Sequence, residues 1–87
     1  MDTSIRFVNQ SGGRVQILWE QNSHAEIYYN ELNDGDGYLQ PTYVGHWWCV
    51  RRESDGELLL RCCGQTDEYI QRISSTPEIA SSVQIQV

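Results

Sequence analysis

Nowhere in this chain do apolar residues recur at i, i+3, i+4 and i+7 through three turns, so no amphipathic helix is written into it. Short alternating runs rich in Val, Ile, Tyr and Trp recur instead, divided by NQSGG, NSH, NDGDG, SDG, GQTD and SSTPE. Each divider supplies the Gly, Asn, Asp or Pro that tight turns require. Such a pattern predicts antiparallel strands near residues 4–8, 14–21, 26–29, 43–52, 57–62, 68–73 and 83–87. Seven short strands predict an all-β fold, a seven-stranded antiparallel β-sandwich forming one domain over residues 1–87. Residues 74–82 leave room for one helical turn.

Period 2 assigns the faces. Ile5 and Phe7 fall together, as do Val15, Ile17 and Trp19, while Arg6, Gln16 and Glu20 fall opposite. The adjacent Tyr28 and Tyr29 must then divide between faces, one in the core and one exposed. A chain of 87 residues buries only about 60 to 65% of the surface it exposes when unfolded, so the core is small. No internal repeat, linker or second domain is evident.

Six basic residues against twelve acidic ones give a formal net charge of −6. No basic stripe is available to neutralise phosphates, which argues against nucleic acid and anionic membranes as partners. The N-terminus has no basic segment followed by an apolar run, and no stretch reaches the ~18 apolar residues of a membrane span. The cysteines are Cys49, Cys62 and Cys63, an odd count whose adjacent pair points to opposite faces of a strand. Reduced thiols and a cytoplasmic location, extending to the nucleus, are the expectation. With His24 and His46 as the only imidazoles and no CxxC, neither a metal site nor a cofactor is expected. Asp34 and Asp36 lack the later ligands of a calcium loop and read as a turn, as do Asp55 and Gly56.

The segment PTYVGHWWCV, residues 41–50, concentrates polar-tipped large side chains. Read as one strand, it places Thr42, Val44, His46 and Trp48 on one side and Tyr43, Gly45, Trp47 and Cys49 on the other. A hydroxyl, an imidazole and an indole on one face suit a ligand that is mostly apolar and carries one hydroxyl. The alternative is that Trp47 and Trp48 only pack and His46 is a surface imidazole. Thr42 and His46 lack an oxyanion-hole turn, so the chain is not expected to be an enzyme.

The run TYVGHWW, preceded by Trp19 in ILWEQ and Tyr29 in IYYNEL, resembles the β domain of the von Hippel-Lindau tumour suppressor family. That family shows an Asn-x-Ser turn, a strand ending in Trp, a Tyr ten residues on, a Leu and two Gly in the next loop, then Ser-Tyr-x-Gly-His-x-Trp. Here the matching residues are Asn9, Ser11, Trp19, Tyr29, Leu32, Gly35, Gly37, Thr42, Tyr43, Gly45, His46 and Trp48. They run without a gap from Phe7 to Arg51, and Asp55, Gly56, Leu58 and Leu59 extend the likeness after a two-residue deletion.

The resemblance implies a seven-stranded sandwich that captures a peptide bearing 4-hydroxyproline, of the kind that marks the hypoxia-inducible factor for ubiquitin ligase recognition. Trp19, Tyr29 and Trp48 would wall the pyrrolidine ring, and Thr42 and His46 would hydrogen-bond its hydroxyl. Tyr43 would lie beside the pocket, and backbone near Tyr38 to Gln40 would pair with the peptide as an added strand. Thr42 stands where the family has Ser, and Tyr38 and Leu39 stand where it has two arginines. The family's helical domain, which recruits elongin C, has no counterpart in these 87 residues, so elongin C is not an expected partner of this chain alone. A β-sandwich interaction or structural module without hydroxyproline specificity is the alternative.

Overall fold

A computed structural model describes residues 2–22 and 25–79 of the chain. It is all-β, with eight strands among the described residues: β1 Thr3–Asn9, β2 Val15–Asn22, β3 Ala25–Leu32, β4 Gly37–Thr42, β5 Trp47–Arg52, β6 Leu58–Cys63, β7 Tyr69–Ile73 and β8 Glu78–Ile79. They form a three-stranded sheet ordered β4-β1-β7 and a five-stranded sheet ordered β3-β2-β5-β6-β8. Two pairings, β1 with β7 and β6 with β8, are parallel, so both sheets are mixed rather than antiparallel throughout.

The strand expected over residues 43–52 begins only at Trp47, as β5, and a strand that was not expected precedes it. Residues 37–42 form β4, and Tyr43 to His46 make a turn in which the His46 amide donates to the Tyr43 carbonyl at 3.1 Å. Gly45 takes φ +85° there, a conformation glycine adopts without steric cost. Residues 78–79 pair as a short strand where a helical turn had room, and the strand expected at 83–87 lies outside the described residues.

The inner faces of both sheets share one core. Ile5 and Phe7 of β1, Val15 and Ile17 of β2, Trp48 and Val50 of β5, Leu59, Leu60 and Cys62 of β6 and Ile73 of β7 are all buried in it. Alternation therefore places Ile5, Phe7, Val15 and Ile17 as expected, each such burial contributing about 1.5–3 kcal/mol. Asn9 closes the top of this core. Its amide donates to the carbonyls of Gly13 and Leu32 and its oxygen accepts from the Ser11 amide and hydroxyl, so a fully buried polar side chain has every group paired.

The outward face of the five-stranded sheet carries a second layer of order. Arg51 makes a two-pronged pair with Glu26 at 2.8 and 2.7 Å, and Arg61 one with Glu20 at 2.8 and 2.9 Å. The Arg61 guanidinium also lies 4.1 Å over the Trp47 ring. Between these groups Cys49 is only 1% exposed. Burial, then the Glu26 and Glu20 carboxylates, push its thiol from 9.0 to about 12, and burial pushes Cys62 to about 11.

These shifts give the fold an alkaline limit. Unfolded thiols ionise above pH 9 while the folded ones stay protonated, so the stability is intact below pH 9 and is lost as pH rises toward 12. Urea unfolding between those limits is expected to show a loss on the order of a few kcal/mol, and a shallower one for Cys49→Ala. Identical slopes for the two proteins would rule out Cys49 as a source.

Candidate functional site

The two sheets leave a cavity of about 320 Å³ beside the β3 and β4 edges, lined by Trp19, Tyr29, Gln40, Pro41, Thr42, Tyr43, His46 and Trp48. Its size lies at the small end for ligand sites, suited to one ring-bearing side chain. Among the described residues no carboxylate or arginine lines it, a lining that suits an uncharged group.

Each wall has a local origin. Trp19 and Trp48 are cross-strand partners in β2 and β5. Tyr29 comes from an irregularity in β3: Ile17 pairs with Asn30 and Leu18 with Tyr28, which leaves Tyr29 as the extra residue of a bulge. Its ring meets Trp48 edge to face at 4.9 Å and Trp19 at 6.5 Å. Alternation had assigned one of Tyr28 and Tyr29 to the core; the bulge leaves them 52% and 50% exposed instead.

Thr42 and Trp48 meet across the Tyr43 to His46 turn, not along one strand. The Trp48 indole Nε1 donates to Thr42 Oγ1 at 2.8 Å, with the two residues 2% and 3% exposed. The Thr42 hydroxyl accepts that bond and keeps its own proton to donate. His46 comes to the same cavity from the turn, stacked on Trp19 at 5.9 Å and 22°, with the Tyr43 ring tilted against it at 5.2 Å. Trp47 faces outward with Cys49, so the adjacent indoles do different work.

Gly64 locks the turn. Its amide donates to the His46 carbonyl at 3.0 Å and its carbonyl accepts from the Gly45 amide at 2.9 Å. A Cβ at this position would sit 2.4 Å from the Tyr43 carbonyl oxygen and 3.1 Å from the Thr42 methyl carbon. Only a glycine brings the two segments this close, and its bare Cα makes room for the methyl that distinguishes Thr42 from Ser.

All six residues singled out in the sequence, Trp19, Tyr29, Thr42, Tyr43, His46 and Trp48, therefore converge on one cavity. Gln40 and Pro41 join them as side chains, and Gly64 shapes the site from behind. Of these, Gln40 had been read for its backbone alone and Gly64 only as a turn residue. Gln40 is steadied by Tyr38, whose hydroxyl donates to Gln40 Oε1 at 2.7 Å, and its own amide donates to the Pro41 carbonyl at 2.8 Å. Asp34 and Asp36 each accept a backbone amide, from Gly12 and Asn33, in keeping with a turn. His24 lies outside the described residues. No protein-family model matches this chain, and no curated protein matches it.

Proposed function

We propose that this chain is a non-catalytic module that binds a peptide bearing 4-hydroxyproline, on the plan of the von Hippel-Lindau β domain. The observation that carries the reading is the single cavity in which Trp19, Tyr29 and Trp48 make apolar walls around the Thr42 hydroxyl and the His46 imidazole. A pyrrolidine ring fills such walls, and a hydroxyl on it meets a donor and an acceptor. Unmodified proline covers the Thr42 O–H proton and the His46 imidazole without bonding either, which costs several kcal/mol and gives selectivity on the order of 10²–10³.

β4 supports the same reading. It is an edge strand of its sheet among the described residues, and its last residues line the cavity. An extended peptide laid along β4 would pair with its open backbone and deliver one side chain into the cavity. Trp48 also serves the core, but Tyr29, Tyr43 and His46 are exposed and contribute little to packing there. In this proposal the chain supplies recognition alone in the cytoplasm or nucleus, and any link to a ubiquitin ligase runs through other polypeptide.

Calorimetric titration with two peptides identical except for one 4-hydroxyl on proline tests the reading. The hydroxylated form is expected to bind at least a hundredfold more tightly. Equal affinity for the two, or no heat from either, would leave an interaction or structural module without hydroxyproline specificity.

A further inference from the structure

Twelve carboxylates face six basic side chains, all arginines, so acidic partners are in excess. Four arginines use them: Arg14 with Glu31 and Glu53, Arg51 with Glu26, Arg52 with Asp55 and Glu57, and Arg61 with Glu20. Among the described residues Arg6 and Arg72 form no ion pair, and both are exposed.

They stand on one surface. Arg6 lies opposite Leu39 of β4 on one side and Ile70 of β7 on the other, and two residues along β1 Val8 lies between Gly37 and Arg72. Alternation turns these side chains outward, since Ile5 and Phe7 between them are fully buried. Leu39 and Ile70 are 39% and 50% exposed. The outward face of the three-stranded sheet thus shows an apolar, basic, apolar row, with a second cation about 8 Å from the first by ordinary strand spacing and rise.

We propose that this face docks an extended acidic segment of a partner protein, in which carboxylates alternate with apolar side chains. Charge complementarity selects that occupant. Two cations are too few to follow a nucleic acid backbone, and a second copy seated face to face here would set the same arginines against each other. Glu68, held by the Ser4 hydroxyl at 2.7 Å, bounds the surface at its other end and repels a carboxylate placed there. Three strands of this length present roughly 300 Å² a side, well under the ~800 Å² of a standard interface, so the contact is weak and salt-sensitive. It is independent of the hydroxyproline reading, because Gln40 and Thr42 project to the cavity and Leu39 projects away from it.

The test is a nuclear magnetic resonance titration of the labelled chain with a peptide alternating Glu with Val and Leu, beside the same peptide with Lys for Glu. The Glu peptide is expected to shift the amides of Arg6, Val8, Leu39, Ile70 and Arg72, less so in high salt, and the Lys peptide to leave them still. Combining Arg6→Glu with Arg72→Glu, both exposed changes that leave the rest of the spectrum in place, is expected to weaken binding at least tenfold. An equal response to both peptides, no response at this face, or an unaltered affinity in the double variant overturns the proposal. So do concentration-dependent shifts of these amides in the chain alone, which would make the occupant a second copy.

Discussion

Replacing Trp48 by alanine is expected to lower the unfolding free energy by about 3–5 kcal/mol and to abolish peptide binding. The indole is 2% exposed, pairs across the sheet with Trp19, meets the Tyr29 ring at 4.9 Å and donates to Thr42. Its removal opens a cavity where the core and the site share a wall. Folded domains are stable by only about 5–15 kcal/mol, so this loss is a large part of the whole. Because unfolding by itself would end binding, Trp48→Phe separates the two effects. Phenylalanine keeps an aromatic ring in the wall but loses the N–H group and part of the indole, and it should stay folded while binding the hydroxylated peptide less well. Urea unfolding and calorimetry on both variants check this. An alanine variant destabilised by less than about 1 kcal/mol would contradict the shared wall.

Thr42→Val is expected to act on both counts from the other side. Valine keeps the shape of threonine, so the methyl facing Gly64 remains, but the Trp48 indole loses its acceptor in a buried place. An unpaired buried donor costs about 1–3 kcal/mol, so the variant folds with a lower midpoint. The ratio of affinities for hydroxylated and unmodified peptide should fall to near one, whereas Thr42→Ser should preserve it. Selectivity that survived valine would assign the reading of the hydroxyl to His46 alone.

Sequence periodicity located the core of this fold better than its edges. Ile5 and Phe7 flank Arg6, Val15 and Ile17 flank Gln16, and all four are fully buried. β4 escaped notice because GYLQPT carries a glycine and a proline, which read as loop yet are tolerated at a sheet edge. The parallel pairing of β1 with β7 joins residues more than sixty positions apart, and no local pattern records it.

The site shows how a correct grouping can follow from a mistaken geometry. Alternation along a supposed single strand put Thr42, His46 and Trp48 on one face. They do face one another, but through a turn set by Gly45 and pinned by Gly64. The remaining walls, Trp19 and Tyr29, came from family resemblance, since nothing in IYYNEL announces a bulge. Arg51 and Arg61 likewise gave no sign in the sequence of the paired carboxylates that seal Cys49 beneath them.

The bulge at Tyr29 separates two inheritances that usually travel together. β2 and β3 pair residue for residue through Val15–Ile17 on one side of it and Leu18–Glu20 on the other, so the ladder there has no need of it. Deleting it would rejoin the strands in continuous register and remove one wall of the cavity. Architecture and recognition are thus independently editable at this point in the chain. A descendant could keep the sheet while abandoning the ligand, or acquire a different ligand by changing a residue that the β-ladder leaves unclaimed.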